Sequence, residues 1–160
     1  MTDAALMMYG LYADKMNAML AAQRKAPGDT FYVQPHSSGP IAGFLSRGPL
    51  VDPPTVMYAS TKEELAVVSY RADIVGWRDK TLMDPDGEEF KRIDASIRKW
   101  KYNPGIFGVE EGFVNLIFIR NVVRLLPPFS VDKLIKIRDR RPLSTNKQMA
   151  GGWAYVYRKD

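Results

Sequence analysis

The 160-residue sequence predicts an α+β fold: a small, partly closed, mixed β-barrel of about five to six strands with three to four peripheral helices. Three observations predict it. Residues 66–78 alternate with a period of two, the mark of a long half-buried strand. Residues 114–126 are dense in β-branched and aromatic side chains on both faces, which suits a second long strand. Two strand-to-strand joins lack a helix, whereas a doubly wound parallel sheet needs one after nearly every strand.

The elements follow in order along one domain, residues 1–160, with residues 1–26 predicted as an N-terminal helix. Within it, residues 4–24 carry Leu6, Met7, Leu11, Met16, Met19 and Leu20 near helical spacing, and Pro27 and Gly28 stop it. Four of the eight methionines fall there besides the initiator, which serves either core packing or an adaptable binding surface. Thr30, Phe31, Tyr32 and Val33 form a short strand. Residues 35–54 hold five prolines and three glycines, so they read as a long structured loop. Residues 56–59 make a strand and residues 62–65 a turn, before the long alternating strand. In that strand Val67, Ser69, Arg71, Asp73, Val75 and Trp77 share one face.

Asp84 and Pro85 supply an N-cap and first-turn proline for a helix with Phe90, Ile93, Ile97 and Trp100 as its stripe. Asn103, Pro104 and Gly105 end it. After the strand at 114–126, Pro127 and Pro128 close it, and Ser130 caps a short helix reaching Ile137. A basic loop at 138–142 and a polar stretch at 143–148 lead to a last strand at 153–157, whose three aromatics share one face.

Composition narrows the chemistry. Zero cysteines excludes disulfide scaffolds, thiolate metal sites and cysteine nucleophiles, and a single histidine, His36, leaves one candidate base. No metal site, cofactor or catalytic residue is predicted. His36 beside Ser37 and Ser38 resembles a nucleophile next to a base, yet neighbours in an extended loop point apart. Carboxylate pairs at Glu63-Glu64, Glu88-Glu89 and Glu110-Glu111 would have to converge from separate segments to serve a nuclease. No basic leader or span of membrane length is seen, so a cytoplasmic protein without a membrane partner is expected.

The net charge of +5 is unevenly placed. Residues 1–90 carry 8 Lys and Arg against 12 Asp and Glu, and residues 91–160 carry 15 against 6, so halves of −4 and +9 emerge. A cationic half predicts an anionic partner, and nucleic-acid recognition further needs flat side chains for bases. The residues that meet this need are Arg138, Arg140, Arg141 and Lys147, directly before Trp153 and Tyr155. Arg71 and Trp77 join them from the alternating strand, and Ser37, Ser38 and Arg47 from the glycine–proline loop. A protein-interaction module, or a homodimer, docking through the methionine-rich helix is the alternative.

The segment Val114-Asn115-Leu116-Ile117-Phe118-Ile119-Arg120, followed by Pro128-Phe129-Ser130-Val131-Asp132-Lys133-Leu134 and a polar loop ending at Trp153, resembles the EVE branch of the PUA-like superfamily. That branch is related to ASCH, YTH and SRA-type readers of modified bases. Gly28-Asp29-Thr30-Phe31-Tyr32 and Arg71-Ala72-Asp73-Ile74-Val75-Gly76-Trp77 resemble its barrel strands. The resemblance implies a barrel that holds a modified or flipped base in an aromatic-lined pocket with a basic rim. It covers about 100–120 residues. Where the family has an arginine- and asparagine-rich pocket segment, this chain has residues 35–54.

Overall fold

Residues 4–9 are apolar at every position, and a strand covered on both faces needs such a run. In the computed structural model, which describes residues 4–35, 54–99, 105, 106, 109, 112–145 and 152–159, they open a strand, β1 (Ala4–Leu11). The expected helix over residues 4–24 is therefore half strand. Ala, Leu and Met favour helix by only a few tenths of a kcal/mol each, which burial on two faces overrides. Leu6 and Met8 enter one core, while Ala5, Met7 and Tyr9 enter another. Gly10, at φ 72°, turns the chain, and helix α1 (Ala13–Lys25) follows. Its Met16 and Met19 are buried, as are Met7 and Met8 of β1, so the described methionines of this region pack the core.

The other strands are β2 (Phe31–Val33), β3 (Val56–Thr61), β4 (Val67–Asp79), β5 (Asn115–Ser130) and β6 (Trp153–Tyr157). They form one six-stranded mixed sheet in the order β2-β5-β4-β3-β1-β6. β1 and β3 run parallel, and the other neighbours are antiparallel. The sheet is not closed into a barrel. The N–H of Val131 donates to Ala66 O at 2.9 Å, extending the β4–β5 ladder past Val67 and Ser130.

Two α-helices stand among the described residues, fewer than the three to four expected: α1 and α2 (Glu88–Arg98). The helix predicted up to Ile137 is a single 3-10 turn, Val131–Lys133. Beyond it the backbone is extended because β6 takes its polar groups: Ile137 N–H donates to Tyr155 O at 3.1 Å, and Tyr157 N–H to Ile135 O at 2.9 Å. α2 begins at Glu88, later than the predicted cap: Asp84 does accept the N–H of Asp86 on Oδ1, but that turn ends at Gly87, whose extended backbone (ψ 160°) makes it the N-cap. Trp100 of its predicted stripe lies outside the described residues. Pro127 and Pro128, expected to close β5, lie within it. Pairing with β4 jumps from Arg124 to Phe129, so neither proline is asked for a ladder hydrogen bond.

The sheet is covered on both sides. α1 packs Met16 and Met19 over Phe31, Met57, Ala72 and Ile119. On the opposite face, Val131, Leu134 and Leu143 roof Met7, Val56, Tyr58 and Val156. α2 lays Ile93 and Ile97 on Leu116 near the β2 edge. At Asn121 (φ 54°) β5 bulges, placing two residues opposite Ala72, and Val122 turns its polar backbone away from the ladder. The Gln23 side chain receives it, accepting from Val122 N–H at 2.7 Å and donating to its carbonyl at 2.9 Å. No helix among the described residues is long and apolar enough to cross a membrane.

Candidate nucleic-acid interface

β6 ends the sheet, and its free edge is where the basic loop settles. Residues 134–143 fold back on themselves: Leu143 N–H reaches Leu134 O at 2.9 Å and Lys136 N–H reaches Arg141 O at 2.8 Å. Lys136 pairs with Val156 of β6, so the turn at 137–140 stands beside the strand that carries Tyr155 and Trp153. Its tightest point is Arg140, in the left-handed region at φ 60°, whose N–H donates to Lys136 O at 3.0 Å.

Within the turn the one carboxylate is used up. Asp139 Oδ1 accepts the N–H of Arg141 at 3.0 Å, and Oδ2 meets Lys136 Nζ at 3.1 Å. The Arg141 N–H and then Lys136 hold the Asp139 carboxyl below the usual aspartate range. Asp139 is thus committed to bracing the backbone. Arg138, Arg140 and Arg141 are exposed and, among the described residues, make no ion pair or side-chain hydrogen bond.

On β6, Trp153 and Tyr155 meet edge to face, with ring centroids 5.0 Å apart. Both are half-buried against the α1-side core, through the register rows of Met8 and Leu6, so one side of each ring is packed. Of the predicted site residues, Arg138, Arg140 and Arg141 lie on the turn paired to this edge and Trp153 and Tyr155 on β6 itself, their rings toward the α1-side core while Leu134 and Leu143 of the hairpin enter the opposite one.

Trp77 and Arg71 are not part of it. Val75 is bulged out of β4, with Ile74 opposite Ile119 and Gly76 opposite Phe118, and the bulge turns Trp77 onto the α1-side core. Trp77 and Arg71 therefore do not share a face, contrary to the strict alternation. Trp77 instead borders a cleft of about 600 Å³ ringed by Asp79, Asp84, Glu88 and Glu89. Arg78 is tied to Glu89 at 2.7 Å and lowers its carboxyl pKa, so it offers that cleft little free positive charge. Such a rim repels phosphates. Arg71 pairs in register with Tyr58 and lies half-buried, its Nε shielded and without a hydrogen-bond partner. Ser37, Ser38, Arg47 and Lys147, with His36, lie outside the described residues.

Among the described residues no three carboxylate or histidine side chains converge on a metal-sized site. Lys136, which braces Asp139, was not singled out by sequence, although its i,i+3 spacing from Asp139 on a turn was a usable signal. Compared with protein-family models, curated proteins and solved structures, the chain matches none.

Proposed function

We propose that this chain is a nucleic-acid-binding module, a binder rather than an enzyme, built on a PUA-like, partly closed barrel. Its contact surface is the turn over residues 136–141 together with Trp153 and Tyr155. One observation carries the reading: three exposed arginines that form no ion pair with a described residue are held on a braced turn alongside a strand of half-buried aromatics. Guanidinium groups suit phosphate oxygens, and aromatic surface that is only half-buried suits an unstacked base. The pairing of residues 135–137 with β6 supports the partial closure. A flipped or modified base beside Trp153 belongs to the same reading.

The test is fluorescence anisotropy on DNA and RNA oligonucleotides, with and without methylated bases, over a salt series starting near 50 mM. For a single strand, Arg140→Ala with Arg141→Ala should make the salt slope shallower by about 1.4, at about 0.7 per phosphate contact. Trp153→Ala should remove discrimination between bases while keeping the slope. Negligible affinity for every oligonucleotide at low salt overturns the proposal.

A further inference from the structure

Away from β6, α1 and β5 enclose a groove of about 590 Å³, within the span of small-ligand sites. Asn17, Leu20 and Arg24 line it at spacings of three and four along one stripe of α1. The opposite wall is the segment of β5 just past its bulge: Val122, Val123, Arg124 and Leu126. The pair of hydrogen bonds between the Gln23 amide and the Val122 backbone clasps the two walls together.

The chemistry of the lining is one-sided. Arg24 and Arg124 are exposed and have no ion pair or hydrogen bond among the described residues. Asn17 accepts the Tyr70 hydroxyl on Oδ1 at 2.7 Å, which leaves its amide N–H groups as donors. The Val122 backbone is already taken by Gln23. Both charged side chains of the lining are cationic, and no carboxylate is among the described lining residues. Between the donors lies apolar surface: Val122 is buried, Val123 is 49% exposed and Leu126 is 79% exposed. An occupant that complements this carries negative charge on a flat or apolar body. Guanidinium planes bond phosphates through their edges and stack on bases through their faces.

We infer that this groove is a second nucleotide site, taking one phosphate and its base from a nucleic-acid strand. The inference rests on the nucleic-acid reading above but names a separate surface. Arg24 and Arg124 flank the phosphate, Asn17 donates to it, and the base lies on Val123 and Leu126.

The test titrates the full chain with a single-stranded DNA oligonucleotide, a nucleoside monophosphate, inorganic phosphate and anionic phospholipid vesicles, following methyl signals by NMR. The oligonucleotide and the monophosphate should each shift the Leu20 and Val123 methyls. Arg24→Gln and Arg124→Gln, both at exposed positions, should each flatten the salt slope of oligonucleotide binding by about 0.7, additively with the Arg140 and Arg141 changes. Leu126→Ser should weaken binding several-fold without altering the slope. If the oligonucleotide binds but the methyls stay still and the Arg24 and Arg124 variants keep the wild-type slope, the groove is overturned and the β6 edge is not. Equal methyl shifts from inorganic phosphate and from the monophosphate overturn the base contact, leaving an anion site. Methyl shifts from vesicles, with no oligonucleotide bound anywhere on the protein, overturn the groove and the β6 reading together.

Discussion

Tyr9 is 2% exposed in the second core, and its hydroxyl has no hydrogen-bond partner. A buried donor left unmade costs roughly 1–3 kcal/mol. Tyr9→Phe should therefore raise the unfolding free energy by about 1 kcal/mol, read from urea titrations; a loss would mean the hydroxyl is bonded after all. Burial also pushes the Tyr9 phenol up to about 12. Unfolded, it ionises near 10, so the folded state has its full stability below that pH and loses it as pH rises toward 12. The phenylalanine variant should lack this share of the alkaline loss. Arg140 poses the opposite question, because its left-handed backbone costs about 1–2 kcal/mol in a residue with a Cβ. Glycine would relieve that strain but give back about 0.5–1 kcal/mol in unfolded-chain freedom. Arg140→Gly should thus stay within about 1 kcal/mol of wild type in stability while losing nucleic-acid affinity. Parallel losses of both would assign Arg140 to the fold alone.

The Gln23 clasp is the element-scale counterpart. One side chain of α1 supplies both partners of a bulged residue in β5, across 99 positions of sequence. Gln23→Ala should cost about 2 kcal/mol, roughly one for each bond, seen as a lower urea midpoint with the slope retained. An unchanged midpoint would show that water replaces the amide. Nothing near Gln23 in the sequence announces this contact, because bulges and their partners are set by register and leave no local period. Where a period existed, the elements were legible: β4 through its alternation, the α2 stripe through Ile93 and Ile97, β6 through its aromatics. β1 had none, since a strand buried on both faces has no polar side to alternate, and its alanines and methionines then spoke for helix. The candidate site divided along the same line. Arg138, Arg140 and Arg141 were visible as a charge cluster, whereas the placement of Trp77 depended on a bulge at Val75, whose local sign was the lone Gly76 inside the strand.

Charge gives the molecule a direction. The acidic N-terminal half gathers Asp79, Asp84 and Glu88 at the Trp77 cleft, while the basic half presents its turn beside β6. Register places the two apart: Trp153, Met8, Ala59 and Tyr70 share one row across the sheet, and Trp77 is seven residues beyond Tyr70 on β4. At about 3.3 Å per residue, less some loss at the bulges, that is about 20 Å along the strand. The screening length is about 8 Å at physiological salt and about 30 Å at 10 mM. On the proposed binding mode, a strand seated at the basic turn therefore feels the acidic cleft only in dilute salt. Each charge pair at that range is worth about 0.2 kcal/mol unscreened in water, and a strand offers several phosphates. Asp84→Asn combined with Glu88→Gln should accordingly leave oligonucleotide affinity unchanged at about 150 mM salt and raise it a few-fold at about 10 mM. A gain of equal size at both salts would mean that nucleic acid touches the acidic cleft directly, and the orientation argued from the +9 half would be wrong.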